Sequence, residues 1–151
     1  ALELAFPKAC AAMPDSLRQG AEDEANQANR LGFQYEIEHF CGFAEGHALV
    51  LSRIVGQEPS ADFAYLARYQ PVERRSEDDY LQVRSMNSGA VALREYSFVR
   101  SGFIVRQVFV QTPAAVYQLD VLIRKAWTEV MIKTYESVLS SFHIIPRGGI
   151  P

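Results

Sequence analysis

The sequence predicts an α+β domain in which an antiparallel sheet carries helices on its faces. Three observations predict it. Residues 90–123 read as three successive strands rich in Val, Ile, Phe and Tyr, separated by turns of ordinary length. Residues 33–54 read as a β-hairpin whose first arm alternates apolar and polar side chains. The last long segment, from about 125 to 142, repeats its apolar residues at intervals of three and four. A chain of 151 residues fits one domain, 1–151, with one sizeable core. Within it, residues 1–13 read as an extended N-terminal segment and residues 146–151 as a tail.

In chain order, the first helix is expected within "MPDSLRQGAEDEANQANRLG". Ser16 with Gln19 makes a capping box, Pro14 lies upstream and Gly32 supplies a stop. Leu17, Ala21, Ala28 and Leu31 give a thin apolar stripe, interrupted in spirit by Gly20. Glu22, Asp23 and Glu24 fall in the early turns, where they suit the macrodipole. The hairpin "FQYEIEHFCGFAEGHALVLSRIV" follows, turning near Ala44-Glu45-Gly46. Period-2 alternation places Phe33, Tyr35, Ile37, Cys41 and Phe43 on one face, with Gln34, Glu36 and Glu38 opposite. Its second arm is apolar in both phases, Leu49 and Leu51 against Val50 and Ile54, which predicts cover on both sides.

"PSADFAYLARYQP" reads as a short helix with Ser60 as cap and Gln70-Pro71 as stop. "VERRSEDDY" reads as a charged connection. The meander then comprises Ala90 to Val99, Phe103 to Gln111 and Val116 to Ile123, with turns at Ser101-Gly102 and Thr112-Pro113. In the closing helix Trp127, Val130, Met131, Tyr135, Val138, Leu139 and Phe142 form the apolar stripe. Glu129 and Lys133 make an outward pair four residues apart.

Composition narrows the function. Hydrophobic residues make up 48% and charged residues 22%, which excludes a disordered chain. A net charge of −3 gives no footprint for nucleic acid or an anionic membrane surface. No apolar run approaches the ~18–20 residues that span a bilayer, so no transmembrane segment is expected. Lys8 and Cys10 interrupt the apolar start, so no signal peptide is read within it. The sequence opens at Ala1 without methionine, and a leader removed upstream is the expectation.

Cys10 and Cys41 are the two cysteines. They read first as buried free thiols, since free cysteine behaves as a small apolar residue. The other reading is a disulfide closing a loop of about thirty residues, worth roughly 3 kcal/mol. His39, Cys41 and His47 form the sharpest candidate constellation: they share a strand face across the turn, and zinc accepts N and S ligands. No CxxC or HExxH spacing supports a metal there, and a core thiol beside partly exposed histidines is the preferred reading. Cys41 beside His39 or His47 is also the local candidate for a nucleophile and base. No serine sits in a GxSxG setting and no glycine-rich phosphate loop exists. Neither a catalytic site nor a cofactor is expected. Arg68, Tyr69, Arg74, Arg75 and Tyr80 gather arginine and tyrosine around the charged loop, residue types that recur in binding hot spots. A protein partner, if met, is expected there.

The ending carries a resemblance. A final strand "VYQLDVLIR", a helix containing Trp127, and then "YESVLSSF" with a short extended tail resemble the C-terminal half of the PsbP-like superfamily. "GAVALREYSFVRSGFIVRQVFVQ" resembles that superfamily's central strands. The likeness covers residues 87–145. It implies an α/β/α sandwich, and through its bacterial members of unassigned activity, a non-enzymatic accessory role at the cell envelope or in an exported compartment. The alternative is a helix-grip fold, where the C-terminal helix plugs a curved sheet. It implies a carrier of small apolar ligands, with Trp127, Met131 and Tyr135 lining a cavity between helix and sheet.

Overall fold

A computed structural model describes residues 2–3, 5–28, 34–43, 47–68, 79–88, 91–100, 103–124, 129–141 and 143–144. In chain order the elements are β1 (Leu2–Glu3), β2 (Ala11–Ala12), α1 (Asp15–Ala28), β3 (Gln34–Gly42) and β4 (Ala48–Val55). A 3-10 helix (Ala61–Arg68) follows, then β5 (Asp79–Ser88), β6 (Val91–Arg100), β7 (Phe103–Gln111) and β8 (Val116–Arg124). The last two are α2 (Glu129–Ser140) and β9 (His143–Ile144). Seven strands form one antiparallel sheet in the order β2-β3-β4-β8-β7-β6-β5. The hairpin β3-β4 thus docks on the far strand of the β5-to-β8 meander.

Strand β8 lies at the centre of that order, and four consecutive residues on it, Val116 to Leu119, are buried. Side chains alternate between faces, so such a run means the sheet is covered on both sides. Each face has its own core. Under α2, Leu49, Leu51, Leu93, Val108, Val110 and Leu119 pack against Tyr135, Val138 and Leu139. On the opposite face Tyr35, Ile54, Tyr96, Phe109 and Val116 pack against Phe63 and Tyr65 of the 3-10 helix. Each fully buried Leu or Val contributes about 1.5–3 kcal/mol.

The alternation expected along β3 breaks at Glu38. Register runs from Ile37↔Ser52 directly to His39↔Leu51, so Glu38 has no opposite residue. Such a bulge shifts the later side chains by one position. Tyr35 therefore joins the core of the 3-10 helix, while Cys41 joins the core under α2. The two do not share a face, contrary to the expectation from spacing. Within β4 the expected cover on both sides is present, with Leu49 and Leu51 on one face and Ser52 and Ile54 on the other, all buried.

Helix α1 begins two residues earlier than its capping box predicts. The Pro14 carbonyl accepts from Leu17 N and Arg18 N, both at 3.0 Å, so Pro14 caps the helix and Ser16 lies inside the first turn. Gln19 reaches forward to Asp23 Oδ1 at 3.0 Å instead of back to a cap. Leu17 is 57% exposed, so the thin stripe is not a buried one.

Asp79 and Tyr80, expected in a charged connection, open the ten-residue strand β5, which pairs with β6 along its length. Ser60 does not cap the 3-10 helix through its hydroxyl, which is buried with no hydrogen-bond partner. The Gln111 side chain brackets the Ser60 backbone instead, accepting from N at 3.0 Å and donating to O at 2.9 Å. Phe63 in this helix takes a left-handed φ of 53°, a conformation that costs a side chain about 1–2 kcal/mol. In α2, Tyr135, Val138 and Leu139 of the expected stripe are buried and Met131 is half-buried, but Val130 is 71% exposed. Trp127 and Phe142 lie outside the described residues, as do the hairpin turn and the tail.

The termini meet. Leu2 pairs with Ile144 and Glu3 with His143, forming a separate two-stranded sheet. The Ser141 hydroxyl donates to Val138 O at 2.6 Å and accepts from Ala5 N at 2.8 Å, tying the N-terminal segment to the end of α2.

Candidate functional site

Strand β6 carries Val91, Leu93, Glu95 and Ser97 on its face toward α2, and all four are buried. Alternation alone puts Glu95 among inward apolar residues, and its side chain is 1% exposed. A carboxylate taken out of water needs charged or donor partners. Two are present. Arg106 on the neighbouring β7 approaches Glu95 Oε2 with Nη1 at 3.5 Å, and the Tyr135 hydroxyl on α2 donates to the same oxygen. The Arg106 guanidinium also lies over the Tyr135 ring, 4.8 Å from its centroid. Ser97, opposite Arg106 in the β6-β7 register, keeps its Oγ buried with no hydrogen-bond partner. Glu95, Arg106 and Tyr135 thus form a polar joint between sheet and helix, set inside an apolar layer.

Beside this joint is a small pocket between α2 and the sheet. Phe43, His47, Leu49, Val121, Met131 and Val138 line it, with Tyr135 shared between pocket and joint. Its volume is about 10 Å³, room for about one water molecule.

The sequence candidates fare differently. Phe43 N donates to His47 O at 2.7 Å, so His47 stands opposite Phe43 as expected, and its side chain is buried. His39 packs against Phe6 with the rings tilted, centroids 4.8 Å apart. Cys41 is not a free thiol: it is joined to Cys10 across 31 residues, with Cα atoms 5.3 Å apart. That bond removes the thiolate on which a nucleophile or a soft metal ligand at this place depends. Among the described residues no group of three or more His, Cys, Asp and Glu is placed to hold a metal ion. Of the arginine and tyrosine neighbourhood, Arg68 ends the 3-10 helix and Tyr80 lies in β5, while Tyr69, Arg74 and Arg75 lie outside the described residues.

Glu38, the bulge residue, carries the notable electrostatic departure. Partial desolvation at the bulge pushes the carboxyl of this otherwise exposed residue above its ordinary value, against the lowering pull of Arg53 and His39. Arg53 is in turn held above its ordinary value by the hydrogen bond from its Nη2 to Glu36 Oε2 at 2.9 Å. Sequence reading passed over Glu95, although its signal was present: it occupies the same strand phase as Val91 and Leu93. No helix among the described residues is long and apolar enough to cross a membrane. No protein-family model matches the sequence, and comparisons with curated proteins and with solved structures give no match.

Proposed function

We propose that the chain is a non-enzymatic accessory domain that works by binding another protein, with its elements in a PsbP-like arrangement. The observation that carries this reading is the Cys10–Cys41 bond. It occupies the one sulfur a catalytic reading could use, and it suits an exported or envelope compartment, where disulfides persist. Glu95, a carboxylate in the interior, is engaged by Arg106 and Tyr135, which supports a role in holding α2 to the sheet. The partner surface proposed is the stretch carrying Arg68, Tyr69, Arg74, Arg75 and Tyr80. A carrier of apolar ligands needs a cavity of several hundred Å³. Among the described residues the pocket under α2 measures about 10 Å³, which supports the accessory reading over it.

Photo-crosslinking from positions 69 and 80 in the native compartment tests the proposal. One discrete protein adduct, lost on Arg74→Glu with Arg75→Glu, is the expected result. A robust turnover in an activity screen that Glu95→Gln abolishes without unfolding the chain overturns it.

A further inference from the structure

The outer edge of β3 is satisfied by two devices. At one end β2 pairs with it through main chain, Ala11↔Gly42 and Ala12↔Cys41, and Met13 N donates to Phe40 O at 2.9 Å. Pro14 has no N–H to continue this ladder. From there α1 takes over with side chains. Asn26 Oδ1 accepts from Tyr35 N at 2.6 Å while its Nδ2 donates to Tyr35 O at 3.1 Å. A residue on a neighbouring strand makes the same double exchange. Glu22 Oε2 accepts from Ile37 N at 2.8 Å, and Arg18 Nη1 donates to Ile37 O at 3.1 Å. Arg18, Glu22 and Asn26 recur every four residues, so one helix face stands in for a strand.

The grip is polar and shallow. No side chain of residues 15–27 is buried, and among these Ala25 packs against a core cluster. A helix of fourteen residues with Gly20 in its interior is marginal on its own, so leaving the sheet means melting.

We propose that the β3 edge at Tyr35 and Ile37 is a strand-addition site for an extended partner segment bearing lysine or arginine, with α1 as its removable cover. The site rests on the protein-binding reading above and adds a second contact, apart from the 68–80 stretch proposed there. Edge addition uses main-chain hydrogen bonds for affinity and alternate side chains for choice. The choice here is set by charge. Glu36 and Glu38 are exposed on this strand, and the Glu36–Arg53 pair is itself solvent-exposed and therefore weak. A second copy meeting this edge antiparallel puts Glu36 across from Glu36 when Tyr35 faces Ile37. It puts Glu36 across from Glu38 when Ile37 faces Ile37. Like charges directly opposite destabilise a strand pair, and opposite charges stabilise it. A basic segment therefore fits where a second copy does not.

The test uses the full chain and a labelled synthetic peptide of alternating valine and lysine, with a valine–glutamate peptide as counterpart. Binding is followed by fluorescence anisotropy, and the Tyr35 and Ile37 amides by hydrogen exchange. Glu22→Ala with Asn26→Ala is expected to tighten lysine-peptide binding about tenfold or more. The peptide should restore protection at both amides. Gly20→Ala, whose new Cβ meets nothing within 4 Å, strengthens the cover without disturbing the fold. It should weaken binding about fivefold. Equal binding to wild type and both variants, or equal binding of the two peptides, overturns the proposal. So does dimerisation of the double variant in place of peptide binding, and so does an unchanged affinity in Gly20→Ala. A partner that cross-links through residues 68–80 while Tyr35 and Ile37 stay protected overturns this edge site and leaves the accessory reading standing.

Discussion

Glu95 sits where its strand otherwise turns apolar residues inward, so its variants separate two costs. Glu95→Ala leaves Arg106 and Tyr135 without the carboxylate that both engage. Removing one member of a buried pair costs about 3–5 kcal/mol. Tyr135→Phe deletes a single hydrogen bond to a charged acceptor, worth about 1.5–3 kcal/mol. Urea unfolding should return that order, and the double variant should lose less than the sum, because the three groups act together. A second residue-scale prediction concerns Glu38, whose folded carboxyl binds its proton more tightly than the unfolded one does. Stability present below the ordinary carboxyl pKa is then lost as pH rises through the raised value. Glu38→Gln removes that loss. Thermal melts should show the variant above wild type at neutral pH and level with it well below the carboxylate range.

Among elements, turns and strand edges respond to backbone more than to side chains. Gly56, just after β4, has a φ of 81°, and a Cβ built there meets nothing within 4 Å. Gly56→Ala therefore isolates the cost of a left-handed conformation, about 1 kcal/mol by chemical denaturation. The hairpin and the meander were legible in the sequence because Val, Ile, Phe and Tyr crowd those strands and Thr112-Pro113 marks a turn. The Thr112 hydroxyl accepts from Ala114 N and Ala115 N there, a local bond the residue types predict. The bulge at Glu38 left no mark in composition, since Glu36 and Glu38 look alike whichever way they point. Strand β5 was hidden for another reason: Asp79 and Asn87 are poor strand formers, and pairing with β6 overrides their preference. At about 100° per residue, Val130 stands about 140° from Tyr135 and half a turn from Leu139. Apolar spacing alone widened the stripe to include it. The side chains that hold α1, Arg18, Glu22 and Asn26, give no sign of that role in the sequence, because their partners are backbone groups that no sequence pattern displays.

At the scale of the whole molecule, the Cys10–Cys41 bond fixes the N-terminal segment to the sheet. Residues 5–13 make two register pairs through β2, the Met13 bond to Phe40, the Ala5 bond to Ser141 and the Phe6 contact with His39. None of these is deep, whereas both cysteines are buried beside Leu49 and Leu51. The bond closes a loop that contains all of β2 and α1 and nearly all of β3. Loop-closure entropy for 31 residues gives it about 3–4 kcal/mol. For a chain of this size each kcal/mol moves Tm by about 2–4 °C, so Cys10→Ser with Cys41→Ser should melt roughly 10 °C lower. Wild type melted in a strong dithiol reductant should match the variant, since the same cross-link is missing. Hydrogen exchange should place the loss in residues 5–28 first, because the cores on either side of β8 do not depend on the bond for their contacts. An unchanged Tm under reduction would mean that the two sulfurs contribute packing alone, and the case for an oxidising compartment would go with it.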